Sequence, residues 1–350
     1  MKNIHENVKD YYGNQLQSTQ DLQTNACCTA TAPPKHIQEA LQLIADEVQD
    51  KYYGCGLVIP SAIEGLKVLD LGSGSGRDCY IASKIVGENG YVVGVDMTDN
   101  QLGVANKYID YHKEKFGYKK ANVKFVKGYI EQLGELNLEK ESFDLIISNC
   151  VINLAKDKLK VLKDAYDLLK PGGEMYFSDV YSDRRIPKHL QEDQVLWGEC
   201  LSGALYWNDF LRFAKKAGFT DPRVVENSVI TIDNKELQEK VGDIKFYSVT
   251  YRLWKIEGLE TNCEDYGQSV KYKGGILEEP NAVNLDNSHK FEKGRVISVC
   301  GNTFKMLHDS RYQKYFEFYG DWSTHYGFFE DCSTDNPFSN SVPAVGGSCC

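Results

Sequence analysis

The spacing of apolar residues changes character along this chain. In PPKHIQEALQLIADEVQDKYYG, Ile37, Leu41, Ile44 and Val48 fall on one helical face, and VKDYYGNQL ahead of it reads as a shorter helix. Residues 1–60 are therefore expected to form a helical leader. Its two helices are separated by a polar loop, TNACCTATAPP, broken at Pro33 and Pro34. From Leu66 onward, short apolar runs alternate with helical patterns. LKVLDLG, YVVGVDM, NVKFVKG, FDLIISNCVINL and EMYFSDVY read as five strands, and RDCYIASKIVG, NQLGVANKYIDYHKEKFG and DKLKVLKDAYDLLKPGG as the helices between them. That alternation predicts an α/β fold with a parallel, doubly wound sheet covered by helices on both faces.

The fifth strand is followed by more chain than a crossover needs. SDRRIPKHLQEDQVLWGECLSGALYW marks an insertion over residues 182–208. A helix ending at KKAGF then leads into PRVVE and, later, KFYSVTYRLWK, an antiparallel pair that would complete a seven-stranded sheet. The main domain is thus expected over 61–255. Residues 256–338, richer in Gly, Asn and Asp, read as a small C-terminal subdomain, and 339–350 as a flexible tail ending in two cysteines.

Composition narrows the function. With 42% hydrophobic and 26% charged residues among 350, the chain is an ordinary globular protein. Its net charge of -10 argues against a grip on nucleic-acid phosphates. No run is long enough to span a membrane, and MKNIHENVKDYYG has no apolar signal core. A monomer in the cytoplasm, with neither nucleic acid nor membrane as partner, is the expectation.

The sharpest chemical signal lies between the first strand and its helix: Val68-Leu69-Asp70-Leu71-Gly72-Ser73-Gly74-Ser75-Gly76-Arg77-Asp78. Glycines let a backbone turn tightly and approach a ligand, and the helix N-terminus beyond favours an anionic group. A dinucleotide fingerprint would place its third glycine at position 77, where this chain has arginine, and Asp70 precedes the first glycine. Both departures point to S-adenosylmethionine, with Gly72, Ser73, Gly74 and Gly76 as the loop and Asp70 accepting from the cationic amine. Asp96 ends the second strand, placed to accept the ribose hydroxyls, and Met97 can pack on adenine. The third strand ends at Gly128-Tyr129-Ile130, where the adenine edge would lie. Asn149, ending the fourth strand, completes the candidate cofactor residues. The fold expected is the seven-stranded Rossmann-like class I methyltransferase sheet.

Eleven cysteines remain to be explained. In a reducing compartment they are mostly thiols, and without a CxxC any soft-ligand site must be assembled from distant segments. Cys150, in SNCVINL just past the fourth strand, borders the crevice of a doubly wound sheet. Cys55 sits between glycines in KYYGCGLVIP, Cys200 in the insertion (LWGECLSGALYW), and Cys27 in the polar TNACCTA loop. Cys79 reads as core. Cys263, Cys300 and Cys332 show no constellation, and Cys349 and Cys350 read as bystander thiols. His36 and His189 read as surface residues, and the aromatic run at 205–207 as core.

These motifs resemble the arsenite methyltransferases. DYYG, TNAC, PPKHI, YYGCGLVIP, LDLGSGSGRDCY, GVDMT, GYIE, SNCVINL, PGGEMYFSDVY and LWGECLSGALYW carry the resemblance, roughly from Val8 to Trp254. It implies that four cysteines matter, Cys27, Cys55, Cys150 and Cys200, with trivalent arsenic bound through Cys55, Cys150 and Cys200. It also implies arsenite and methylated arsenicals as substrates in arsenic detoxification, with glutathione or thioredoxin as thiol reductant.

The chemistry is coherent. Trivalent arsenic is soft and takes thiolates as ligands. Three of them leave a lone pair on its open side, and that lone pair attacks a sulfonium methyl without any general base. Transfer oxidises arsenic, which a thiol pair can reduce by closing to a disulfide; Cys27 and Cys55 are the candidates. Two other readings stay open: a small-molecule O-, N- or C-methyltransferase with cysteines as core, and a non-catalytic thiol-based metalloid-binding protein.

Overall fold

The computed structural model describes residues 33–329 except Tyr53, Cys55 and Glu199. The leader helix expected over 33–54 divides into α1 (Lys35–Leu41) and α2 (Asp46–Asp50). Ile37, Ile44 and Val48 still bury together, in one cluster with Ile81, Ala82 and Val86. The VKDYYGNQL helix and Cys27 lie outside the described residues.

The main domain runs β1 (Lys67–Leu71), α3 (Arg77–Val86), β2 (Tyr91–Asp96), α4 (Asp99–Lys107), α5 (Ile109–Phe116), β3 (Val123–Lys127) and β4 (Phe143–Asn149). It continues through α6 (Lys158–Leu168), β5 (Leu169–Ser182), α7 (Lys188–Gln191), α8 (Gln194–Gly198), β6 (Leu205–Tyr206) and α9 (Trp207–Ala217). It closes with β7 (Arg223–Val229), α10 (Lys235–Val241) and β8 (Phe246–Trp254). The sheet order is β3-β2-β1-β4-β5-β8-β7, with β6 beside the end of β5. β1 to β5 are parallel, and β8 runs antiparallel to both β5 and β7. This is the class I methyltransferase sheet. Because β1 has β2 on one side and β4 on the other, a crevice opens where the connections diverge, at the carboxyl ends of β1 and β4.

Three local readings change. The helix expected over 100–117 breaks at Tyr108 (φ -102°, ψ 10°). The fourth strand stops at Asn149, because Cys150 takes φ 56° and turns the chain out of the sheet; INL becomes a 3₁₀ turn. The Pro-Gly-Gly segment is the irregular start of β5, with Gly172 at φ 78° and a register shift against β4.

Beyond β8 the chain forms β9 (Glu264–Asp265), β10 (Gln268–Tyr272), β11 (Ala282–Asn284), β12 (Lys290–Glu292), β13 (Val296–Val299), α11 (Gly301–His308), β14 (Phe316–Tyr319) and β15 (Gly327–Phe328). A three-stranded antiparallel sheet, β13-β10-β14, packs with Phe291, Met306, Tyr312 and Trp254 in its own core. Trp254 ends β8, so the two cores meet there. Buried Glu174 ties them further, pairing with Arg252 at 2.7 Å and with Arg311. Breaking one partner of such a buried set leaves an uncompensated charge, which costs about 3–5 kcal/mol. Among the described residues no helix is long and apolar enough to cross a membrane.

Candidate active site

A cleft opens at the carboxyl ends of β1 and β4. Asp70, Gly72, Ser73, Gly74, Asp96, Met97, Ile130, Asn149 and Cys150 all line it. Gly76 and Tyr129 stand just behind the wall: Gly76 caps α3 with φ 90°, and Tyr129 leads into Ile130. The glycine loop follows from sterics. Gly72 has φ 76°, and a Cβ there would lie 2.5 Å from the Val151 side chain. Only glycine keeps the loop this close to β4.

The polar groups fit a nucleoside donor. Asp96 anchors the loop by accepting from Gly74 N (2.9 Å) and Thr98 N (2.7 Å). Each of those bonds uses one lone pair per oxygen, so the carboxylate keeps others for ribose hydroxyls. Ser73 Oγ is buried without a partner at the cleft lip, a polar atom that a ligand would satisfy. Asp70 is buried, accepts from the Cys79 thiol at 3.1 Å, and has its pKa pushed up to about 8, first by burial and then by Asp78. Burial also raises Asp78 and Asp96. Three carboxyls held above their ordinary range around one cleft favour a cationic ligand over a neutral or anionic one. The residues present therefore fit S-adenosylmethionine.

The thiols come next to this cleft. Cys150 is 2% exposed, forms part of the cleft wall, and takes part in a disulfide. The pair expected from the sequence to form a disulfide, Cys27 with Cys55, lies outside the described residues. Asn149 ties Tyr52 and Gly56 to β4: it accepts from Gly56 N at 3.2 Å and donates to Gly56 O at 2.8 Å, to Tyr52 Oη at 2.6 Å and to Asp78 at 2.9 Å. Arg77, where a dinucleotide loop would carry glycine, stacks on the Tyr52 ring at 3.7 Å. Cys200 is fully buried behind the cleft wall, and its thiol donates to the Cys150 carbonyl at 3.4 Å. The 182–208 insertion thus folds over Cys150, and Gly203 allows it, since a Cβ there would meet Asn153 O at 2.3 Å.

Two charged residues near the thiols had gone unnoticed in the sequence. Buried Asp179, on β5, accepts from Asn153 N (3.0 Å), Asn153 Nδ2 (2.7 Å) and Val180 N (2.8 Å), and burial lifts its pKa to about 6. Lys158 is buried at the start of α6, and burial lowers its pKa to about 8, opposed by attraction to Asp179, Glu131 and Cys200. An acid inside the run FSDVY was a readable signal for Asp179. Lys158 had none, because it sits in an ordinary amphipathic helix.

Other expectations sort differently. Cys79 is core, yet it supports Asp70. His189 is exposed and His36 half-buried. The 205–207 run is not core: Leu205 and Tyr206 are half-buried and Trp207 exposed. Cys263 and Cys300 do have a constellation, described below, because distant segments converge on them. Among the described residues no group of three or more His, Cys, Asp and Glu is arranged to hold a metal ion.

Comparison with known proteins decides between the open readings. A methyltransferase-domain family model matches residues 63–218, and an arsenite methyltransferase C-terminal domain model matches 266–341. The arsenite methyltransferase of Aquipseudomonas alcaligenes is 54% identical over 99% of this chain and 100% of its own length. The chain belongs to the arsenite methyltransferase family. The arsenite methyltransferase of Homo sapiens is 49% identical over 89% of this chain and 83% of its own length. In structure, the crystallographic arsenic(III) S-adenosylmethionine methyltransferase from Chlamydomonas reinhardtii matches with a TM-score of 0.83 and 52% identity, over 85% of this chain and all of that one.

Proposed function

We propose that this arsenite methyltransferase methylates arsenite and methylarsenite bound through Cys55, Cys150 and Cys200. The observation that carries the reading is the meeting of two thiol residues at the donor cleft. Cys150 forms its wall, and Cys200 lies against the Cys150 carbonyl.

S-adenosylmethionine, when bound, supplies an electrophilic methyl on a cationic sulfonium. Asp70 takes its amine, Asp96 its ribose, Ser73 and Gly74 its tail, and Met97 and Ile130 flank its base. The residues of the chain then have three tasks. Their thiolates hold arsenic with its lone pair open, so no side chain has to remove a proton from it. The insertion keeps Cys200 in a dry, rigid place, where good orientation is worth effective molarities on the order of 10⁵–10⁸ M. Lys158, a cation in that same buried region, favours the thiolate of Cys200 over the thiol.

Arsenic must return to the trivalent state for a second methylation, and a disulfide among the chain's thiols is the other product of that reduction. A thiol reductant of the glutathione or thioredoxin kind reopens it. The protein acts as a monomer in the cytoplasm, where a reductant of this kind opens the Cys150 disulfide and keeps Cys200 a free thiol. Product analysis with arsenite, S-adenosylmethionine and a thiol reductant tests the reading. Mono- and dimethylated arsenicals are expected, and S-adenosylmethionine consumption independent of arsenite would overturn it.

A further inference from the structure

The C-terminal subdomain carries thiols of its own. Cys300 caps the N-terminus of α11, where its sulfur accepts from Thr303 N at 3.5 Å and lies 3.3 Å from Thr303 Oγ1. Cys263, 37 positions earlier by number, reaches it and hydrogen-bonds its sulfur. Arg223 Nη2, on β7, lies 3.9 Å from the same sulfur. Asp221 grips the guanidinium at 3.0 and 2.7 Å, and Asp286 holds it at 3.2 Å. Both cysteines are reduced; Cys300 is 1% exposed and Cys263 half-buried.

We propose that Cys263 and Cys300 form a second thiol site that captures a monosubstituted trivalent arsenical away from the methyl-transfer cleft.

Among the described residues the geometry supplies a two-thiol chelate and no third soft ligand. Apart from the two sulfurs, the charged groups at the cluster are Arg223, Asp221 and Asp286, with His289 bonded to Asp286 at 2.7 Å. Hard carboxylates hold the arginine and do not compete for soft arsenic. A methyl- or aryl-substituted arsenic has two exchangeable positions, matching two thiols, whereas arsenite would keep an unsatisfied hydroxyl.

The cluster also prepares a nucleophile. The Cys263 hydrogen bond, and then the Arg223 charge, bring the Cys300 pKa down to about 5, against burial. Cys79, equally buried but beside Asp70, is pushed the other way. Burial alone therefore does not make a thiolate here; Cys263 and Arg223 do.

Capture needs no redox partner. In R–As(OH)₂ two As–O bonds break and two As–S bonds form, and both hydroxides leave as water. One proton comes from the Cys263 thiol and one from solvent. Arsenic stays trivalent. The half-exposed Cys263 engages first, and the buried Cys300 thiolate closes the ring.

The site is separate from the cleft. Arg223 pairs across β8 with Arg252, which pairs with Tyr176 of β5, whereas the Cys150 N–H bonds to Ser178. Two strand spacings put Arg223, the residue that faces Cys300, about 10 Å to the side of β5. Its role follows from that placement: it holds a methylated trivalent intermediate on the protein without occupying the donor site.

The inference rests on the reading that this chain handles trivalent arsenicals, and the test separates the two. Reduced full-length protein is titrated with phenylarsine oxide, and adducts are counted by native mass spectrometry. Wild type is expected to hold one adduct more than Cys263→Ser or Cys300→Ser, and the double variant to match the single ones. Serine at 300 keeps the helix cap, so the fold is retained. All three variants should keep methylating arsenite. Cys150→Ser should lose methylation and keep the extra adduct. Equal adduct counts in wild type and both single variants would overturn the proposal.

Discussion

The Cys200 thiol donates to the Cys150 carbonyl at 3.4 Å, and both residues hold left-handed backbone, φ 61° and 56°. Non-glycine residues rarely take that conformation, and it costs about 1–2 kcal/mol apiece. Two such residues in contact, beside a ligand cleft, mark backbone held in place by its surroundings. Cys150 leaves the sheet because of that turn, and Cys200 is brought down onto it by the insertion.

Replacing either thiol should therefore stop catalysis without unfolding the protein. Cys200→Ser keeps a donor for the Cys150 carbonyl but removes an arsenic ligand. The expected outcome is loss of methylation of both arsenite and methylarsenite, with S-adenosylmethionine binding unchanged by calorimetry. Retained turnover would refute the role given to Cys200.

Asp70 gives the donor site a pH signature. Its pKa near 8 means that it is protonated at neutral pH in the unliganded protein and ionised above. An ammonium binds the ionised form, so S-adenosylmethionine affinity should rise as pH increases from about 6 to 8. In Asp70→Asn that slope should disappear. The stability signs agree: because the folded pKa is raised, the unliganded protein is most stabilised by this group below pH 3.8 and loses that contribution as pH climbs through 8. Thermal melts should therefore show the unliganded wild type losing stability relative to Asp70→Asn between about pH 3.8 and 8, with the two running parallel outside that window.

Gly72→Ala places a methyl 2.5 Å from Val151 in a backbone that L-residues avoid. Stability should fall by at least about 1–2 kcal/mol from the backbone alone. S-adenosylmethionine binding should fall further than stability, because the loop must retreat from the cleft. Gly74→Ala, with nothing near its Cβ position, is the milder control.

Lys158→Met removes the cation buried near Cys200. The acidic limb of the turnover profile should move to higher pH, and Lys158→Arg should restore part of it. An unchanged profile in Lys158→Met would make the lysine structural only.

The glycine loop, Asp96 and Cys150 could be read from the chain because each sits at a strand end, where period and turn residues reveal position. Asn149 was legible as a site residue but not as the hub joining Gly56, Tyr52 and Asp78, since those contacts cross the fold. Lys158 was hidden by an amphipathic helix, and the Cys263–Cys300–Arg223 cluster by separations that only folding closes. The end of β4 was misplaced by a few residues because sequence pattern does not reveal a left-handed cysteine.

The most direct test of the account is turnover of arsenite and methylarsenite, compared in wild type, Cys150→Ser and Cys55→Ser. The account predicts that Cys150→Ser abolishes both reactions. It predicts that Cys55→Ser harms arsenite more than methylarsenite, because a methylated arsenic needs one thiolate fewer. Near-normal turnover of either substrate by Cys150→Ser would contradict thiolate-bound arsenic as the methyl acceptor.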